Sequence, residues 1–87
     1  MITKYFDSLE SLEDHFEDYV LESLVDEEVT GGKHDVTNYS GYYKDSNNDW
    51  WNVAYSVSYN NGFMDAYVSG PFHQSTKQVT QFVWKAK

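Results

Sequence analysis

Asp45-Ser46-Asn47-Asn48-Asp49 opens like a calcium loop, with oxygen-bearing side chains at positions 1, 3 and 5. Calcium chemistry then needs glycine at position 6 and a bidentate glutamate at position 12. The chain has Trp50 and Ser56 there, so the run reads as a polar turn. His15, His34 and His73 are the nitrogen donors available, and none has a second histidine or a carboxylate at zinc spacing. Cysteine is absent, which removes thiolate metal sites and disulfides together. Serine, threonine and lysine are present, but no Gly-x-Ser-x-Gly elbow, phosphate loop or Ser-x-x-Lys surrounds them. His34 and Asp35 are adjacent, and neighbours on a strand point to opposite faces. These residues support neither an enzyme nor a cofactor or metal site.

Carboxylates are the one abundant chemical group. The 87 residues hold fourteen acids against six lysines and no arginine, for a formal charge of −8. Ten of the acids lie in residues 1–28, where Lys4 is the one base. Glu10, Asp14, Glu17, Asp18, Glu22, Asp26, Glu27 and Glu28 are the candidate partner-binding residues, and Glu13 falls at the border of the apolar stripe. Such asymmetry points to a charged interaction surface. Direct nucleic-acid binding is disfavoured, because a phosphate backbone requires a basic groove.

The elements that would position these acids follow from periodicity. Leu9, Leu12, Phe16, Tyr19, Val20 and Leu24 recur at steps of three and four, which predicts an amphipathic helix over about 8–28. Asp7 with Glu10 has capping spacing, and Gly31-Gly32 is the expected stop. On such a helix nine acids from Glu10 to Glu28 would span about 27 Å, one per ~3 Å. A DNA strand carries a phosphate per ~3.4 Å. The same helix would be weakened by its own like charges at i,i+4 and by Asp26, Glu27 and Glu28 at its negative end.

After Gly32 the period changes to two. Strands are expected at about 35–44, 50–59, 63–69 and 78–85, forming a four-stranded antiparallel meander under the helix. Trp51, Val53, Tyr55, Val57 and Tyr59 should face the core, with Trp50, Phe63 and Tyr67 outward. Asn61-Gly62 suits a two-residue hairpin turn, which would pair Tyr59 with Met64, Val57 with Ala66 and Tyr55 with Val68. Gly70-Pro71 should end that strand, and Ile2–Phe6 could add a short extended piece. The expectation is an α+β protein, residues 1–87 as a single domain.

No apolar run reaches the ~20 residues that span a bilayer, and no signal peptide opens the chain, so a cytoplasmic protein without membrane contact is expected. In size, charge and lack of catalytic apparatus the profile resembles small acidic inhibitors. These are phage antagonists of bacterial defence (anti-CRISPR proteins, anti-restriction DNA mimics, uracil-DNA glycosylase inhibitors) and the immunity proteins of nuclease toxins. No motif of any such family is shared, and no residue role carries over. The resemblance implies a non-enzymatic inhibitor whose partner is a basic, nucleic-acid-processing protein. The alternative is an accessory module that binds protein or carbohydrate through exposed aromatics on its sheet.

Overall fold

The computed structural model describes residues 1–76 and 82–86. Strand β1 (Ile2–Phe6) leads into helix α1 (Leu9–Phe16) and a single 3-10 turn (Leu21–Ser23). Strands β2 (Val25–Lys33), β3 (Val36–Lys44), β4 (Trp50–Ser58), β5 (Gly62–Thr76) and β6 (Phe82–Ala86) follow. All pairings are antiparallel, in the order β1-β5-β4-β3-β2, with β6 also on β5. The α+β class therefore holds, with more strands than the four expected. The meander is β2 to β5, and the Ile2–Phe6 piece joins it as β1. Of the expected strand at 78–85, residues 78–81 lie outside the described residues and 82–85 fall in β6.

The helix is the main departure. It ends at Phe16, where Glu17 takes the left-handed conformation (φ 59°) and its N–H bonds the Glu13 carbonyl. Asp18 N–H reaches the same carbonyl at 3.2 Å. Ser8, not Asp7, caps the start, its Oγ accepting from Ser11 N–H at 3.1 Å. Residues 25–28, expected on the helix, are in β2, and Gly31-Gly32 lies within that strand. Stacked carboxylates oppose a longer helix, whereas pairing with β3 satisfies the backbone from Val25 onward.

The apolar positions at 20, 21 and 24 still reach the core, because the chain crosses the sheet from α1 to β2. Phe6, Leu12, Val20, Tyr43, Val53, Tyr55, Ala66 and Val68 are buried together, with Leu9, Phe16, Leu21 and Leu24 packed against them. Gly41 permits the crossing: a Cβ there would lie 3.0 Å from Leu24 Cβ. Each fully buried Leu or Val contributes about 1.5–3 kcal/mol. Tyr19, expected in the apolar stripe, is 67% exposed.

The β4–β5 hairpin is displaced by two residues from the expected register over most of its length, and by three next to the turn. Val57 pairs with Phe63, Tyr55 with Ala66 and Val53 with Val68. The loop is Tyr59-Asn60-Asn61, with Gly62 at φ 75° as the left-handed residue that closes it. Ser58 sets the longer turn, its buried Oγ accepting from the N–H groups of Asn60 (3.3 Å) and Asn61 (3.2 Å). Tyr59 is consequently at the tip and 90% exposed instead of in the core. A register shift at Met64 then turns Phe63 inward against the core, the opposite of its expected orientation. Tyr67 does face outward, and Trp50 is half-buried with Lys44 Nζ 6.0 Å from its ring centroid. Strand β5 also runs past Gly70-Pro71, where a second register shift against Trp50–Asn52 accommodates a residue without an N–H.

Candidate acidic interaction face

The segment 9–24 covers one face of the sheet, and its polar side chains are what that cover presents outward. Glu10 and Asp14 are exposed on α1, Glu17 and Asp18 are exposed at its end, and Glu22 is exposed on the 3-10 turn. Glu13, Asp14, Glu17, Asp18 and Tyr19 line a shallow hollow of about 270 Å3. Asp26, Glu27 and Glu28 are exposed on β2, the last strand of the sheet. The expected rigid rod of charge is therefore replaced by a broader arrangement: a two-turn helix, a crossing segment and a sheet edge.

Two of these acids also hold the fold. Tyr43 is 4% exposed, and its hydroxyl donates to Asp18 Oδ2 at 2.9 Å. Asp18 Oδ1 accepts from Tyr19 N–H at 2.7 Å, so one carboxylate fixes the chain where the helix stops. Burial, and then the Asp18 acceptor, push the Tyr43 phenol up to about 12. Tyr55 repeats the device on β4, donating to Glu27 Oε2 at 3.0 Å, and burial followed by that bond raises its ionisation well above the ordinary tyrosine range. Burial and the charges of Asp26 and Glu28 raise Tyr42 as well.

Two further acids act locally in ways that sequence periodicity does not register. Asp45 Oδ1 accepts from the N–H groups of Asn47 and Asp49, both at 2.9 Å, and Oδ2 accepts from Trp51 Nε1 at 2.8 Å. The run that resembles a calcium loop thus spends its first carboxylate on its own turn and on an indole. Asp35 Oδ2 accepts from Ser58 Oγ (2.8 Å) and Asn60 Nδ2 (3.2 Å), tying the β2–β3 turn to the β4–β5 turn. Those bonds hold its carboxyl below the usual range. An Asx pattern was the available signal for Asp45; for Asp35 there was none. Among the described residues, no three His, Asp or Glu side chains are grouped to hold a metal ion.

Among the described residues, the other face of the sheet carries no helix. Its centre is a ladder of small polar side chains, where Asn52 Nδ2 donates to Ser40 Oγ (2.9 Å) and Ser56 Oγ to Asn38 Oδ1 (2.6 Å). Tyr5 and Tyr67 flank it, with ring centroids 5.1 Å apart and both about half exposed. Among the described residues no helix is long and apolar enough to cross a membrane. Compared with known proteins, no protein family, curated sequence or solved structure matches this chain.

Proposed function

We propose that this protein is a non-enzymatic inhibitor that presents its acidic face to the basic, nucleic-acid-binding cleft of a nuclease or another DNA- or RNA-processing enzyme, in the manner of anti-CRISPR, anti-restriction or nuclease-immunity proteins. It acts in the cytoplasm, where such enzymes meet nucleic acid. The observation that carries this reading is the placement of the charge. Glu10, Asp14, Glu17, Asp18, Glu22, Asp26, Glu27 and Glu28 are all exposed, in a stretch whose one base is Lys4. Such a surface steers a basic partner into encounter and matches the potential of a phosphate-binding cleft. Tyr19, 67% exposed beside Glu17 and Asp18, supplies an aromatic anchor within it.

Affinity capture from bacterial lysate, eluted in rising salt, tests the reading. It expects release of one nucleic-acid enzyme at moderate salt and inhibition of that enzyme by the free protein. Capture that resists high salt would sink it. The exposure of Tyr5 and Tyr67 beside the Asn/Ser ladder favours a second reading, an accessory module that docks protein or carbohydrate on the uncovered sheet face.

A further inference from the structure

The two edges of the sheet are built differently. Strand β2 is protected against pairing: it has two register shifts, a left-handed residue at Asp26 (φ 53°) and three successive acids. Strand β1 has none of these. Its register with β5 is unbroken from Ile2↔Gly70 to Phe6↔Ala66, and Lys4 is its one charged residue. Strand β6 continues this edge in line, because Phe72 pairs with Trp50 on one side and with Ala86 on the other.

Exposed apolar groups gather at the same place. Of nine large hydrophobics exposed among the described residues, Met1, Ile2, Tyr5, Met64 and Tyr67 lie on or next to β1 and β5. We infer that β1 pairs antiparallel with β1 of a second copy of this chain, making a two-fold dimer with one sheet continuous through both copies. Charge selects a second copy for this edge. A chain of formal charge −8 can approach its own kind only where like charge is sparse. The edge strands themselves differ in charge: β1 carries Lys4 alone, whereas β2 sets Asp26, Glu27 and Glu28 against Lys33. A hollow of about 460 Å3 beside β1 is lined by Lys4 together with Asp7 and Asp14, so acids outnumber the chain's own lysine there and offer opposite charge to the second copy's Lys4. A two-fold axis through β1 brings Tyr5 and Tyr67 of each copy onto one face, extending the aromatic pair into a four-ring cluster.

The pairing is independent of the acidic face and has the opposite salt response. Added salt screens the repulsion between copies and strengthens the dimer, while it weakens capture of a basic partner. Sedimentation equilibrium of the full chain at low and high salt should show a reversible dimer that tightens with salt. The Ile2→Lys/Tyr5→Lys variant, altered at two exposed positions, should weaken it by about tenfold or more. Because the chain has no cysteine, single cysteines report contact directly. Of Thr3→Cys, Lys4→Cys and Tyr5→Cys, at least the one nearest the axis should form a disulfide-linked dimer on mild oxidation, and Val29→Cys on β2 should not. A monomer at the highest attainable concentration, or a dimer that none of the three β1 cysteines can trap, would overturn the pairing.

Discussion

Tyr43 and Tyr55 give two of the acids a structural duty that sequence alone does not assign. A buried phenol needs a hydrogen-bond partner. Here both find theirs in carboxylates of the N-terminal acidic segment, Asp18 and Glu27. Tyr43→Phe removes one such bond, and about 1 kcal/mol of stability at neutral pH should go with it, read as a lower urea midpoint. The pH dependence carries a sign. The folded phenol is raised from 10.0 to about 12, so the folded chain keeps its proton where the unfolded chain has released it. The contribution of Tyr43 is complete below pH 10 and lost as pH rises toward about 12. The stability gap between the native chain and Tyr43→Phe should therefore narrow across that interval. Asp35 works in the other direction, its carboxyl held below the ordinary 3.8 chiefly by Ser58. Its contribution is present above pH 3.8 and disappears as pH falls through the depressed folded value. Asp35→Ala should melt earlier than the native chain at neutral pH, and the two melting curves should converge in acid.

Secondary-structure elements are where sequence and structure part company, and the end of α1 shows why. Phe16, Val20 and Leu24 do all face the core, as their four-residue spacing implies, but only Phe16 does so from a helix. A chain crossing a sheet can place inward residues at the same spacing, so periodicity locates burial here without fixing the backbone. The competing signals were the repulsion among stacked acids and the strand-forming Val29-Thr30, and tertiary pairing with β3 decided between them. The cost is visible at Glu17, a side chain in the left-handed region. Glu17→Gly should stabilise the protein by roughly 0.5–1 kcal/mol, measured by urea denaturation, since glycine takes that conformation without penalty and one like charge is also removed. No gain would mean that the helix stop is not strained. Strands β3 and β4 were legible nearly to the residue, β4 because Trp51, Val53, Tyr55 and Val57 alternate with smaller residues and β3 because its valine, threonine and tyrosines favour extended backbone. The hairpin register was not, because a serine hydroxyl lengthened the turn and one extra residue near Met64 reversed Phe63. Of the candidate acids, the sequence established their exposure and density, while their division among helix, crossing segment and edge strand depended on where the helix stops.

On the scale of the whole molecule, the charge is more telling than any single element. The acidic stretch wraps from α1 across the covered face to the β2 edge, where Glu28 pairs with Ser40 of the opposite face, and the centre of that face is polar and aromatic. The acidic-face proposal and the uncovered-sheet alternative thus use different sides and can be separated by substitution. Glu10→Gln, Asp14→Asn, Glu17→Gln and Glu22→Gln together remove four acids and take the formal charge from −8 to −4. Asp18 is left in place because its loss would also release Tyr43. The four side chains are exposed, and relieving the Glu10/Asp14 repulsion should leave the fold intact or slightly more stable. If the acidic face engages a basic cleft, affinity for the captured target should fall at least about tenfold, mainly through slower association, since each interfacial charge pair is worth roughly 0.2–1 kcal/mol. The dependence of binding on salt should flatten in parallel, because fewer charges remain to be screened. Tyr67→Ala, on the uncovered face, should leave that affinity unchanged. The reverse pattern, with the neutralised variant binding normally and Tyr67→Ala losing the target, would assign recognition to the sheet and leave the acids to keep the protein soluble.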